Sequence, residues 1–493
     1  MNRCDFKVCF VSFYNEAAYG LRQLHAIVNH LTFSSKMIFI KLRLEDSFTK
    51  KTNNVTDIEE SLFIDYIKEN KPDVMAFSLV SSNFTLYRRL FKRIRPLGDF
   101  KIVLGGWQVS LNPEKCIDYC DILCIGEGEL IIGELIECLY KKQSIDHISN
   151  LWIRAGSETI KNSVGPLLTD FDTIPIQTYK DELSLFIDNN IIIQHDPYLK
   201  SDRYGTFLGR GCPYHCTYCS NSYMAAKIYP NQWSKVRLRS VENAICELLE
   251  AKRNIMTLKY IIFYDEVFSP NIAYVQQFFD RYLKEIGLPF YCMFYPGTCS
   301  EEMAIILKNS MLAGVWMGIQ SGSERVRKEV FKRRTNSKSI IKQAQIFNKY
   351  NISVKYDIIF DNPFETFDES LETIELLLNL PQPFKINAFS LKFFPNTEIT
   401  QMALDSGMIT DENLNDALED DHQDTKVTIE CHNNNLEFLN LLAMYIAILA
   451  PNSFLNSKID YIRQTINTYK CSGNYDKLKN DFVSLSSDIA ITK

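Results

Sequence analysis

The stretch GRGCPYHCTYCSNS, residues 209–222, carries Cys212, Cys216 and Cys219, with His215 between the first two. Thiolates separated by three and then two residues can wrap three corners of a metal cluster from one loop. A tetrahedral zinc site or a closed iron–sulfur cluster usually has four protein ligands. The stretch therefore describes either a site short of a ligand or one with an open position. Three alternatives stand beside the open cluster. Zinc with His215 as fourth ligand requires His215 and Cys216, adjacent in sequence, to turn toward one ion. An electron-transfer cluster wants a further cysteine nearby, and the next, Cys246, falls in a helical pattern. Three buried structural thiols conflict with Gly209, Gly211 and Pro213, which make the segment a tight, exposed loop.

The loop follows the apolar run YGTFLG (204–209). Comparable runs recur at KYIIFYD, FYCMFY, GVWMGIQ, SVKYDIIF and KINAFSLKFF, separated by helical patterns such as SVENAICELLEAKR. This alternation predicts a partial (βα)6 barrel over 201–400, with the cysteines at the carboxyl end of its first strand, where such folds carry their chemistry. Upstream, the runs DFKVCFVSFY, KMIFIKLR, DVMAFSLV, KIVLGG and DILCIG alternate with amphipathic helices. Strands without polar alternation indicate a parallel sheet covered on both faces, hence an α/β, doubly wound, Rossmann-like domain over 1–142. Residues 143–200 read as a connector and 401–493 as a mainly helical region.

The charge of -6 gives no bulk attraction for nucleic acid or an anionic membrane. The apolar run LLAMYIAILA (441–450) is too short for a bilayer, which needs about 20 helical residues. The opening MNRCDFKVCFVSFYNE reads as a buried strand, not a secretion signal. The expectation is a cytoplasmic protein with reduced thiols. A second cysteine run, Cys116, Cys120 and Cys124, spans a helical turn and an apolar strand. These side chains should not converge and read as small core residues.

The cysteine spacing, with Tyr218 just before the last thiol, resembles the radical S-adenosylmethionine enzymes. The resemblance implies a 4Fe-4S cluster on Cys212, Cys216 and Cys219, whose open iron chelates S-adenosylmethionine and whose electron yields a 5′-deoxyadenosyl radical. GIQSGSERVRKEVFKRRTNS (318–337) is similar to the fourth-strand segment of that family. This implies Gln320 as a ribose contact and Arg333 as the partner of the methionine carboxylate, with Lys332 and Arg334 as rivals in register; Arg suits a carboxylate by its bidentate fit. The resemblance also implies that Tyr218 and Gln320 help place the adenosyl group. KYDIIFDNPFETFDES (355–370) resembles the fifth-strand motif, with Asn-Pro-Phe where many relatives carry Pro-Gly. Glu365 and Thr366 also suit a helix start. Asp265 and Glu266 after the second strand are candidates for the methionine amine, or for caps.

The first domain resembles the cobalamin-binding members of this family through FSLVSS, VLGGWQ and CIGEGEL. The residues carried over for the nucleotide tail are Ser78, Gly105 and Gly106, with Gly126 and Glu127 as weaker ones. The loop FYNEAAYG after the first strand has no axial histidine. His25 and His30 lie on the following helix, and Asp420 and His422 match only part of that motif. The implied function is a cobalamin-dependent methyltransferase acting on an unactivated carbon. It would use an external low-potential electron donor and a small-molecule or peptide substrate, and no nucleic acid. The alternatives are radical chemistry of another type, such as ring formation or rearrangement with a vestigial cobalamin domain, and a non-catalytic iron–sulfur protein.

Overall fold

In the computed structural model, residues 2–13, 17–41, 55–268, 271–411, 414, 434–452 and 454–491 are described. Asp420 and His422 lie outside them. The first sheet is built on β1 (Lys7–Phe13), β2 (Ser34–Ile40), β3 (Val74–Ser78), β4 (Lys101–Gly105) and β5 (Ile122–Cys124). These five are parallel in the order β5-β4-β3-β1-β2. The order reverses between β1 and β3, and a doubly wound sheet opens its ligand crevice at that point. Their apolar side chains divide between two cores. Helices Asp57–Asn70 and Phe84–Ile94 cover one face, and Tyr19–His30 and Ile132–Lys141 the other.

The expected connector is more ordered than its sequence implies. It contributes β6 (Leu151–Ala155) and β7 (Glu158–Lys161), an antiparallel hairpin beside β5, and β8 (Ser184–Asp188) with β9 (Ile191–Ile193) beside β2. The first sheet therefore has nine strands, and the connector supplies both its edges. Short strands such as these carry too few residues for a period to stand out from their loops.

The second sheet is the expected six-strand unit. Its strands are β10 (Arg203–Thr206), β13 (Tyr260–Phe263), β14 (Phe290–Phe294), β15 (Leu312–Gln320), β16 (Ser353–Phe360) and β17 (Lys385–Ser390), adjacent in chain order and parallel throughout. A short ladder of β11 (Gly209–Arg210) and β12 (Arg237–Leu238) lies in the loop region after β10. Helices Val241–Asn254, Ile272–Glu285, Glu301–Asn309, Ser337–Lys349 and Phe367–Leu378 bury their apolar faces on its outside. The described C-terminal helices, Asn434–Leu449, Ile459–Ser472 and Asp476–Ile491, back this barrel. They dock on helix Phe367–Leu378 through Phe438, Tyr469 and the Lys470–Asp368 and Arg463–Glu375 ion pairs. Among the described residues no helix is long and apolar enough to cross a membrane.

Candidate active site

The cysteine loop is fastened at both ends. At its start, the buried Asp265 carboxylate just beyond β13 accepts hydrogen bonds from the backbone N–H of Leu208 (3.0 Å) and Gly209 (2.8 Å). Burial pushes that carboxyl up to about 7, although these two bonds oppose the shift. Gly211 has φ +110°, and a Cβ there would stand 2.5 Å from the Lys235 carbonyl oxygen, so only glycine passes. At the far end, the Thr217 hydroxyl donates to the Val330 carbonyl at 2.7 Å, which ties the loop to the turn carrying Arg333.

Cys212 and Cys219 are half-buried and Cys216 is buried. Burial pushes the Cys212 thiol up to about 12, and the neighbouring Cys219 and Cys216 add to the effect. Cys219 is raised by burial in the same way. Cys212 and Cys219 thus favour the protonated thiol unless a counter-charge is brought beside them. A bound cluster would supply that charge and invert the preference. His215 is exposed, and Cys246 lies on helix Val241–Asn254 beside Glu242.

Arg333 reaches this loop from the β15–helix connection. Its Nη1 donates to the Tyr218 hydroxyl (2.9 Å) and lies 3.6 Å from Cys216 Sγ, and its Nη2 donates to the Gly318 carbonyl (2.6 Å). The guanidinium lies 4.2 Å above the Tyr295 ring, which stacks on Tyr214 at 3.7 Å. Burial works against its charge, yet the Tyr218 hydroxyl and Cys216 thiol beside it hold its pKa above the ordinary value. Its Nε is buried without a partner among the described residues, which leaves a charged donor for a carboxylate. Gln320 ends β15 at φ +73°, and its side chain folds over Gly318: a Cβ there would meet Gln320 Nε2 at 2.4 Å. Cys216, Tyr218, Gln320 and Arg333 are thus brought to one place. The rivals turn outward: Lys332 is ion-paired with Glu398 and Arg334 is exposed. Thr366 caps helix Phe367–Leu378, as its position suggests, while Glu365 accepts from the Ser321 hydroxyl at 2.9 Å. Asp361 occupies φ +57° at the end of β16; its Oδ1 is buried and unpartnered among the described residues.

A cavity of about 520 Å³ opens beside this loop at the β1/β3 crevice. Ser78, Gly105, Gly106, Gly126 and Glu127 line it from the first domain, and Phe207, Arg210, Tyr264 and Glu266 from the barrel. Gly106 has φ +95°, and a Cβ there would lie 2.6 Å from the Leu79 carbonyl. A Cβ on Gly105 would meet nothing of the protein closer than 3.8 Å. Bare backbone at Gly105 is therefore not demanded by the protein's own packing, and it fits close approach of a bound group such as a cobalamin tail. Glu127 does more than line the pocket. It bridges to Arg237 (2.7 Å) and Arg210 (3.6 Å), while Glu129 pairs with Arg210 (2.6 Å). The domains are clasped where the cavity spans them. Cys124 lies at this wall, whereas Cys116 and Cys120 are fully buried core.

No histidine is among the described residues lining the cavity. His25 is buried with Nε2 3.4 Å from the Ser35 carbonyl, its ring pushed down to about 4 by burial, and His30 is exposed. Arg237 and Tyr229, whose hydroxyl accepts from the Glu127 N–H at 2.8 Å, carry no sequence signal, because they act only across the domain boundary.

Known proteins agree with this arrangement. Residues 206–377 match the radical SAM superfamily model and residues 42–136 the B12 binding domain model. The chain belongs to the radical S-adenosylmethionine superfamily, and within it to the members that carry a cobalamin-binding domain ahead of the barrel. It is 26% identical over 353 residues to an uncharacterized methyltransferase of Pyrococcus horikoshii, covering 70% of this chain and 72% of that one. It is 26% identical over 303 residues to cytidylyl-2-hydroxyethylphosphonate methyltransferase of Streptomyces wedmorensis, covering 55% and 54%. Its fold is shared with OxsB, a cobalamin-dependent S-adenosylmethionine radical enzyme solved with aqua-cobalamin and S-adenosylmethionine bound (TM-score 0.66, 15% identity, 98% of this chain and 75% of that one).

Proposed function

We propose that this protein is a cobalamin-dependent radical S-adenosylmethionine methyltransferase acting on an unactivated carbon of a small-molecule or peptide substrate. The observation that carries the reading is the shared cavity. The loop ends expected to hold cobalamin and the residues leading into the cysteine loop face one space. The methyltransferase names of two relatives support the reaction type. When bound, the cluster supplies the electron that splits the sulfonium of S-adenosylmethionine, and cobalamin carries the methyl group.

The chain's own part is positioning. Cys212, Cys216 and Cys219 hold the cluster and leave one position for the amine and carboxylate of S-adenosylmethionine. Arg333 takes the carboxylate, with Tyr218 and Gln320 beside the adenosyl group. Ser78, Gly105 and Gly106 hold the cobalamin tail, and the Glu127–Arg237 clasp keeps the two cofactor sites in register. The reductant is an external low-potential donor.

The test is anaerobic reconstitution with iron, sulfide and hydroxocobalamin, then addition of S-adenosylmethionine and dithionite. The wild-type protein forms 5′-deoxyadenosine and retains a corrinoid spectrum; Cys212→Ala loses the first. Absence of 5′-deoxyadenosine from the wild type overturns the radical reading, and absence of bound corrinoid overturns methyl transfer through cobalamin.

A further inference from the structure

Strand β16 presents two faces. Val354, Tyr356, Ile358 and Phe360 enter the core beneath the outer helices. Lys355 and Asp357 alternate with them, half-buried, on the opposite face, which is the barrel lumen. The register sets Asp357 opposite Gly318 of β15 and Asn387 of β17. Gly318 is the residue whose carbonyl Arg333 holds, so Asp357 stands one strand from the S-adenosylmethionine position. The Asn387 amide donates to Asp357 Oδ1 at 2.7 Å, and among the described residues Oδ2 has no hydrogen-bond partner. Lys355 forms no ion pair among the described residues and lies opposite Trp316 on one side and Lys385 on the other. Trp316 and Tyr291, whose rings are 5.3 Å apart, form an aromatic wall next to it.

None of these side chains has a part in holding cluster, S-adenosylmethionine or cobalamin. Half-buried charges are costly unless complemented, and Lys355 and Asp357 lie about 7 Å apart along the strand, within reach of one small ligand. Resting on the radical reading above, we propose that Asp357 and Lys355 form the substrate subsite. Asp357 takes an ammonium or other N–H donor, Lys355 an anionic group, and the Tyr291–Trp316 wall, which the register sets level with Lys355 and beyond it, the planar or apolar body of the ligand.

The test uses anaerobically reconstituted full-length protein, calorimetry, and three probes: L-phenylalanine, phenethylamine and 3-phenylpropionate. The amine probe lacks the anion and the acid probe lacks the donor. L-Phenylalanine is expected to bind about tenfold more tightly than either, as a charge-assisted hydrogen bond warrants. Lys355→Gln should bring it to the affinity of phenethylamine, and Asp357→Asn to that of 3-phenylpropionate. No saturable binding of L-phenylalanine, equal affinity for all three, or variants that keep the wild-type preference would overturn the subsite. Binding is read without turnover, so that failure is separate from loss of 5′-deoxyadenosine formation, which tests the radical reading.

Discussion

Replacing Asp265 probes how the cysteine loop is held. Asp265→Ala removes the acceptor of the Leu208 and Gly209 N–H groups, which enter the loop from β10. Both bonds are buried, and each orphaned donor costs about 1–3 kcal/mol, so the loop's anchorage weakens by about 2–6 kcal/mol. Asp265→Asn keeps one acceptor oxygen and should lose far less. The assay is amide exchange of the 208–219 segment together with iron content after anaerobic reconstitution. Asp265→Ala should speed exchange at Leu208 and Gly209 by at least about 30-fold, the low end of that range, and lower the iron per chain. Asp265→Asn should stay near wild type in iron. The sign of the pH effect follows from burial. The folded carboxyl sits at about 7 against an ordinary 3.8, so the folded chain binds this proton more tightly than the unfolded one. Its contribution to stability is full below the unfolded value and is lost as pH rises through about 7. Asp265→Asn should flatten that slope between about 4 and 7. Wild-type exchange and iron in Asp265→Ala would refute the anchoring role.

Three further outcomes are expected. Arg333→Lys loses the fork that spans Tyr218 and Gly318, and should raise KM for S-adenosylmethionine by roughly 10- to 100-fold with a smaller change in kcat, measured as 5′-deoxyadenosine formation. Gly105→Ala meets no protein atom within 3.4 Å and should keep thermal stability within about 1 kcal/mol while weakening hydroxocobalamin binding at least about tenfold by equilibrium dialysis. Gly106→Ala should instead destabilise the first domain itself, seen as a lower Tm without any corrinoid, because its Cβ would strike the Leu79 backbone.

Much of this molecule is legible from local pattern. The apolar runs from YGTFLG to KINAFSLKFF recur between helical patterns, so their alternation marks six strands before any contact is known. The cysteine spacing and its place after the first strand are equally local. The edge strands β6–β9 are not legible, because β6 and β8 owe their order to pairing with β5 and β2, and β7 and β9 pair only on them.

The sequence by itself determined the two domain types, the three thiols and the approximate site of the cation that follows GIQSGS. Only the tertiary structure decided that Arg333 turns inward while Lys332 and Arg334 face solvent, because the tie from Thr217 to Val330 fixes the path of that turn. It also decided that Asp265 anchors the loop backbone. It gave Glu127 a second task, pairing with Arg237 across the domain boundary at 2.7 Å. The physical reason is the same in each case. Periodicity and spacing act over a few residues, whereas the direction of a charged side chain depends on which distant backbone and which opposite charge the folded chain brings beside it.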